Sequence, residues 1–254
     1  MVRLLDTRTG SYAEVRPASA RLLRVCVHVP ETAGPSDITW LRVSLVADLL
    51  FRAAELRNMQ VLTMLALAGQ SAAQLEELKH AVDALGMHPP GALASLAQAH
   101  DVPADVHLIG QGTDLDDDWA GLITTVGTAA QAADPAHPAD PLAVRFALES
   151  APYDQPADLT ADVLADADQT LTSWRRRVAL WAESPSRPMP AGIAAAAGAA
   201  FDDLGTVSAL GLLRDLIADP DVPAGAKFET FVYTDRLLGL DLPRDIGRYF
   251  TPER

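Results

Sequence analysis

The residues with the clearest chemical potential lie in one short stretch, IGQGTDLDDDWAGL, which runs from 109 to 122. It contains Gly110, Gly112 and Asp114, followed by the acidic run 116–118. Glycines let a backbone approach a ligand closely, and carboxylates bind hydroxyl groups or hard metal ions. The stretch alone is compatible with a nucleotide-binding turn, a metal-binding acidic loop or a solvated connection.

The acidic run Asp116, Asp117 and Asp118 offers the oxygen ligands that magnesium and calcium prefer. It lacks the spacing and the terminal glutamate of a calcium-binding loop. Acidic residues also stabilise the first turn of a helix through its dipole. We expect this helix-start role and no metal ion at the run.

Three further candidate ligands lie in apolar segments: Cys26, which is the only cysteine, His28 and His107. Neither histidine has an evident partner in the sequence, so each is expected to be a hydrogen-bonded interior or edge residue. A tetrahedral zinc site normally uses at least three protein ligands, and one thiol does not hold zinc. Cys26 is therefore expected to be a buried strand residue.

The elements expected to position these residues begin with a βαβ unit. The run 21–30, RLLRVCVHVP, is short, β-branched and ended by proline, which predicts a buried strand. A long amphipathic helix is predicted from Ile38, with Ser36 or Asp37 as its N-cap, followed by a strand over 59–67. Such units bind ligands near the helix N-terminus, so the loop before Ile38 is where a nucleotide phosphate would bind.

Downstream, a short helix is predicted over 91–100 and a third strand over 104–110. The proline- and alanine-rich segment 128–141 is typical of a linker, and nearly everything after it has a helical pattern. We therefore predict an α/β domain over 1–133 and a helical bundle over 134–254.

The charge distribution bears on partners. The net charge is −14, and eleven acidic residues against one lysine give the segment 58–144 a net charge of −10. Such a surface repels phosphate backbones, so we expect no binding of tRNA or other nucleic acid. No apolar run reaches the 18 or so residues of a membrane span, and the N-terminus has no secretory signal pattern. We expect a cytoplasmic protein that binds no membrane.

Several segments, in this order, resemble cysteinyl-tRNA synthetase, a class I aminoacyl-tRNA synthetase. They are LLDTRTGSYAEVRP, LLRVCVHV, VSLVADLLFRAAELRNMQVLTML, DALGMHPP, GQGTDL, DPLAVRFALESAPYDQPADLTADVLADAD, FDDLGTVSALGLLRDL and YTDRLLGLDL. The resemblance covers nearly the whole chain and implies a shortened, Rossmann-like parallel sheet followed by the family's all-α bundle. It also implies that GQGTDL is the family's nucleotide-binding turn and that Cys26 occupies the position of a zinc ligand. Much of the family's insertion and its anticodon-binding region have no counterpart.

The motifs that carry the family's chemistry are absent. Where His-Ile-Gly-His should open the long helix, this chain has DITW, Asp37 to Trp40, and an aspartate repels phosphates. The Lys-Met-Ser-Lys-Ser loop has no counterpart, because no lysine occurs from 80 to 226. The zinc-binding His-His-Glu is replaced by WAG, 119–121. The resemblance therefore implies a truncated scaffold with degenerate catalytic motifs.

Gly110, Gly112 and Asp114 match the family's nucleotide turn. In a working turn the glycines admit the adenosine and the carboxylate binds a ribose hydroxyl. Alternatively, the glycines only shape the turn and Asp114 caps the next helix. We take the three residues as a vestigial nucleotide-binding turn.

The preferred hypothesis is a catalytically degenerate paralogue that acts as a binding or partner subunit, through a protein partner or self-association. It predicts no catalytic residue, no zinc and no cofactor. The alternative is a repurposed enzyme, a ligase or transferase of specialised metabolism. Such an enzyme would use the vestigial pocket for ATP, another nucleotide or an aminoacyl donor as its small-molecule ligand.

Overall fold

The computed structural model describes residues 2–19, 21–30, 37–113, 115, 119–131 and 140–248. Its strands are β1 (Arg3–Asp6), β2 (Ser11–Glu14), β3 (Leu22–Val29), β4 (Gln60–Leu67), β5 (Ala92–Ser95), β6 (Val106–Gly110), β7 (Leu122–Val126), β8 (Ala129–Gln131) and β9 (Ala157–Leu159). Its helices are α1 (Ile38–Glu55), α2 (Ala72–Ala84), α3 (Leu96–Asp101), α4 (Leu142–Glu149), α5 (Ala161–Trp181), α6 (Ala191–Asp202), α7 (Thr206–Ala218) and α8 (Ala224–Leu238), followed by a short 3-10 helix (Leu242–Asp245).

The central sheet of the described chain is parallel throughout, in the order β5-β4-β3-β6-β7. From β3 the chain moves outward to β4 and β5, and then returns to place β6 on the other side of β3. The strand order therefore reverses between β3 and β6. Open α/β sheets bind ligands at the carboxyl ends of the strands that flank such a reversal.

The predicted βαβ unit is confirmed as β3–α1–β4, and Asp37 is the N-cap of α1. The helix predicted over 91–100 is wrong in its first half, because Ala92–Ser95 form β5 and only Leu96–Asp101 are helical. Alanine and leucine favour helices, but pairing with β4 overrides that preference. Strand β7, at the far edge of the sheet, has no counterpart among the predicted elements.

Helix α1 is buried nearly all round, which corrects the prediction of an amphipathic helix. Fourteen of its eighteen residues are buried, among them Arg42, Ser44 and Asp48. The helix contacts strands β3, β4 and β6, and also β8 and α8. Periodicity identifies apolar positions, but a polar residue looks solvent-facing in sequence unless its buried partner is known.

Arg42 fastens α1 to the segments around β8 and β9. Its guanidinium donates to the backbone carbonyls of Gly127 (3.2 Å), Thr128 (3.0 Å) and Pro152 (2.7 Å), and also to that of Gln155. Only 1% of the residue is exposed. Because carbonyls are the acceptors, the side chain fixes the path of this backbone, which leads into the helical half.

A second buried arginine joins α1 to α4. Arg145 of α4 donates to Asp48 Oδ2 on α1 (2.7 Å), to Glu149 Oε1 (2.9 Å) and to the Leu238 carbonyl at the end of α8 (2.6 Å). Asp48 also accepts from His88 Nδ1 (2.6 Å). The side chains of Arg145, Asp48 and Glu149 are at most 1% exposed. Buried charges persist only with such partners, so this ion network ties the sheet half to the bundle.

Helices α4 to α8 form the helical half that the sequence predicts after Pro141. Trp174 and Trp181 of α5 both pack edge-on against Phe231 of α8, with ring centroids 5.5 and 5.2 Å apart. Aromatic pairs favour this edge-to-face arrangement. Both tryptophans therefore contribute to packing within the bundle.

The predicted linker 128–141 contains β8, which pairs in parallel with β9. Residues 132–139 lie outside the described residues, and the division into 1–133 and 134–254 stays a prediction. Within the described ranges, no helix is both long enough and apolar enough to cross a membrane.

Candidate functional site

The carboxyl edge of the sheet brings the end of β6 close to the first turns of α1. Gly110 is the last residue of β6, and a Cβ there would lie 3.7 Å from side chains of α1. Gly112 follows in a turn with a φ of +87°, a left-handed conformation that favours glycine. Asp114 and the run 116–118 lie outside the described residues. The nucleotide role of Gly110, Gly112 and Asp114 therefore stays a prediction.

The N-terminus of α1 is closed by its own cap. The Asp37 carboxylate accepts hydrogen bonds from the backbone amides of Thr39 (3.0 Å) and Trp40 (3.2 Å). Free amides and the helix dipole make a helix N-terminus a phosphate site, but here a carboxylate occupies two of the donors. The Thr39 hydroxyl is also engaged, with the backbone of Ala129 (3.0 and 3.1 Å). These groups are thus committed to internal bonds at the place where a phosphate was expected.

Replacing Asp37 with alanine is expected to lower the free energy of unfolding by about 1 kcal/mol, because two helix amides lose their acceptor. Asp37→Asn is the matched control, since asparagine caps helices about as well and removes only the charge. Urea unfolding followed by circular dichroism measures both variants. Equal losses in the two variants would show that the charge of Asp37, and not its capping bonds, stabilises α1.

A histidine pair lies on the sheet face away from α1. His28 Nε2 lies 3.0 Å from His107 Nδ1, which confirms the prediction that both are hydrogen-bonded interior histidines and supplies the partner that the sequence did not reveal. The pairing of β3 with β6 brings them together, and Cys26 is the direct register partner of His107. Side chains alternate along a strand, so Cys26 and His28 share one face of β3. All three residues are at most 2% exposed.

Hydrogen bonding determines which ring nitrogens carry protons. His107 Nε2 lies 2.9 Å from the Ala120 carbonyl, which only accepts, so Nε2 carries the proton of the neutral ring. His107 Nδ1 then accepts the hydrogen bond from His28 Nε2. The lone pair of His28 Nδ1 is buried and has no hydrogen-bond partner among the described residues. A buried acceptor in that state costs about 1–3 kcal/mol.

Burial keeps this cluster uncharged at neutral pH. Burial, with a smaller contribution from His107, lowers the pKa of His28 to about 4. Burial also lowers the pKa of His107, against the opposite effect of its bond to Ala120, and it raises the pKa of the Cys26 thiol to about 12. Cys26 Sγ and one ring nitrogen of each histidine lie within 4.8 Å of one another. The cluster therefore presents one sulfur and two nitrogen ligand types in a small buried volume.

Trp119 covers the cluster. Its ring lies edge-on to His28, His107 and His100, with centroids 4.9, 5.0 and 4.9 Å away. Arg8 fixes the neighbouring backbone by donating to the Trp119 carbonyl (3.4 Å). Trp119 is thus a packing residue in the WAG segment, and its ring separates the cluster from the surface.

A polar cleft of about 600 Å³ lies on the bundle side, between the ends of α2, α4 and α8. Two of its acidic residues, Asp140 and Asp235, are engaged in internal bonds. Asp140 pairs with Arg175 and Arg244, and Asp235 accepts from two backbone amides just after α8 (2.8 and 3.0 Å). We assign no catalytic arrangement to this cleft.

Two features of the site were missed by sequence reasoning. The alternation in VCVHV places Cys26 and His28 on one face of a strand, a signal that was available. His107 joins them only because β6 pairs with β3, and sequence patterns do not give the strand order. The burial of Arg145 was also missed, because it depends on how α4 packs against α1 and α8. Its four-residue spacing from Glu149, which is typical of a helical ion pair, was visible in the sequence.

Comparisons with known proteins agree with the resemblance found in the sequence. No family model matches the chain. The cysteine–tRNA ligase of Paracoccus denitrificans is 37% identical over 107 residues, which make up 41% of this chain and 20% of that ligase. A Campylobacter jejuni structure described as an arginyl-tRNA synthetase shares 8% sequence identity with a TM-score of 0.52. That similarity covers 91% of this chain and 93% of the other.

These similarities confirm the resemblance to class I aminoacyl-tRNA synthetases and the predicted α/β fold class. At 8% identity, the structural similarity concerns the fold alone. The region matched to the ligase spans only 20% of its length, so the activity of the whole ligase does not follow for this chain.

Proposed function

We propose that this class I synthetase-like chain is a catalytically degenerate paralogue, a binding or partner subunit that does not adenylate cysteine or charge tRNA. The observation that carries the proposal is the Asp37 carboxylate on the first amides of α1. A triphosphate at that helix end would have to displace an internal hydrogen-bond acceptor. It would also face a fixed negative charge, which costs about 1–4 kcal/mol for each pair of unit charges 4 Å apart.

The distribution of cations supports the same conclusion. The segment 58–144 contributes two of the described sheet strands next to β3 and supplies one lysine and no arginine. Phosphoryl chemistry relies on cations that neutralise the developing charge. Arg8, which lies near the β6–β7 connection, is engaged with the carbonyls of Trp119 and Gly121. The segment 58–144 and Arg8 would therefore supply little positive charge to neutralise a bound triphosphate.

An exposed sheet edge supports a partner role. β5 is the terminal strand of the sheet, so no strand of the described residues lies beside its outer backbone groups. Leu93 on β5, Leu62 on β4 and Leu96 on α3 are 46%, 36% and 39% exposed. Exposed edges and apolar side chains favour association with another chain. A protein partner or a second copy of this chain is the kind of ligand that fits this edge.

Cysteine-dependent exchange of pyrophosphate into ATP tests the proposal directly. The purified chain is expected to show no exchange above a protein-free blank, while an active cysteinyl-tRNA synthetase assayed in parallel shows it. Light scattering of the same sample is expected to give a mass above that of one chain if the chain self-associates. If the partner is another protein, the native chain is expected to capture it and Leu93→Glu is not. Measurable exchange would overturn the non-catalytic assignment, and a monomer without a partner would overturn the subunit role.

The alternative is a repurposed enzyme that uses the nucleotide turn for other chemistry. The left-handed Gly112, next to the reversal of strand order, is the observation that favours it. A thermal-shift screen with nucleotides and adenylate analogues distinguishes the two functions. A saturable rise in Tm that Gly112→Val abolishes would favour the enzyme.

A further inference from the structure

We infer that Cys26, His28 and His107 bind one divalent metal ion of the zinc class between β3 and β6. The inference rests on three ligand atoms that lie within 4.8 Å of one another on the same sheet face. The position is the reversal of strand order, where side chains from two adjacent strands meet. Sulfur and imidazole nitrogen are the ligand types that zinc prefers.

The ligands are not those implied by the resemblance to cysteinyl-tRNA synthetase. Of that zinc set only Cys26 is present, and WAG at 119–121 stands in place of the His-His-Glu. His28 and His107 enter instead from β3 and β6, so the site reaches three protein ligands by a different route. Three is the number at which zinc sites leave one coordination position open.

The spacing needs only side-chain adjustment. Tetrahedral zinc holds neighbouring sulfur and nitrogen ligands about 3.3–3.6 Å apart, as its bond lengths require. His28 Nε2 and His107 Nδ1 are 3.0 Å apart, and all three ligand atoms of the cluster lie within 4.8 Å of one another. Changes of about an ångström are within reach of side-chain torsions on strands whose backbone register is already fixed.

The surrounding hydrogen bonds are those of a metal site. His107 donates from Nε2 to the Ala120 carbonyl, so Nδ1, which accepts from His28 Nε2 in the metal-free chain, is the nitrogen that would bind a cation. Metal-bound histidines commonly donate their other ring N–H to a carbonyl in this way. The buried His28 Nδ1 has no hydrogen-bond partner among the described residues, so it can take the ring proton when Nε2 of the same ring coordinates the ion.

Charge is balanced by the loss of one proton. As the ion binds, the Cys26 thiol releases its proton to solvent and coordinates as the thiolate, while both imidazoles coordinate as neutral ligands. Two bonds to β3 and one to β6 then cross-link the two central strands.

Metal analysis of the chelator-stripped full chain tests the inference. After exposure to zinc and removal of the excess, one equivalent of zinc is expected to remain bound. Replacing zinc with Co(II) is expected to give the intense visible bands of a tetrahedral ion together with a thiolate-to-cobalt charge-transfer band. Cys26→Ser is expected to abolish the charge-transfer band, and His107→Gln to weaken metal affinity by about 100-fold or more.

His100→Ala is the matched control, because His100 touches the same Trp119 ring but is exposed and outside the ligand cluster. It is expected to leave stoichiometry and spectrum unchanged. X-ray absorption of the zinc-loaded native chain gives a second readout that needs no variant, with one sulfur and two imidazole ligands expected. Substoichiometric zinc, or a weak octahedral spectrum that persists in Cys26→Ser, would overturn the site by placing the metal on oxygen ligands elsewhere.

Discussion

Replacing Arg145 with methionine is expected to lower the free energy of unfolding by about 3–5 kcal/mol. The guanidinium lies between Asp48 Oδ2 and Glu149 Oε1, at 2.7 and 2.9 Å, and its side chain is 0% exposed. Methionine fills most of the volume but leaves the ionised Asp48 carboxylate without this buried partner. The cost is therefore the price of uncompensated charge, not of a cavity.

The pKa values of Glu149 and Asp48 shift in opposite directions, although both carboxylates are buried beside Arg145. Burial raises the pKa of Glu149 to about 8 even beside Arg145. Burial acts in the same direction on Asp48, but a hydrogen bond from His88 and the charges of Arg145 and Arg52 outweigh it and hold that pKa well below its usual range. Since the folded-state pKa of Glu149 is raised, its contribution to stability falls as the pH rises from about 4.5 to about 8.

Chemical unfolding of three variants tests this account. Arg177→Met, at an exposed position on α5, is the matched control and is expected to change stability by less than about 0.5 kcal/mol. The double variant Arg145→Met/Asp48→Asn is expected to recover part of the loss, because it removes the stranded charge of Asp48. If the double variant is as unstable as Arg145→Met alone, the cost arises from lost packing and not from the buried Asp48 carboxylate.

Two glycines in neighbouring helices are expected to respond to alanine with opposite signs. At Gly225, in the first turn of α8, an added Cβ would lie 2.0 Å from the Pro185 carbonyl oxygen and 3.2 Å from the Arg187 amide nitrogen. Backbone atoms cannot swing aside, so Gly225→Ala is expected to cost about 1–3 kcal/mol. At Gly211 in α7, nothing lies within 4 Å of the added Cβ. Gly211→Ala is expected to raise stability by about 0.5–1 kcal/mol, since alanine is the better helix former.

Thermal and urea unfolding of both glycine variants decide the point. A fall in Tm for Gly225→Ala and a rise for Gly211→Ala would support close packing of α8 on the segment 185–187. A rise in both variants would contradict it, because the segment would then have room to move away from α8.

Predictions that depend on interactions between residues close in sequence were correct, and those that depend on contacts between distant residues were not. The strand at 21–30 and the helix from Ile38 were predictable, since periodicity, capping and proline act within a few residues. The short strand β5 was not, because its alanines prefer a helix and only pairing with β4 makes them extended. The same holds for the candidate site. The sequence identified Gly112 as a turn glycine, but it could not show that His28 pairs with His107, because that contact depends on the strand order.

By itself, the sequence determined the βαβ frame, the resemblance to class I synthetases and the absence of that family's lysine and histidine motifs. These depend on residue types and on spacings along the chain. Only the tertiary structure decided that Asp37 occupies the helix amides, that His28 meets His107 across 79 residues, and that Arg145 is buried between two carboxylates. The reason is that strand order and helix packing determine which distant side chains share a volume. A histidine or arginine changes its chemical role entirely when that volume excludes water.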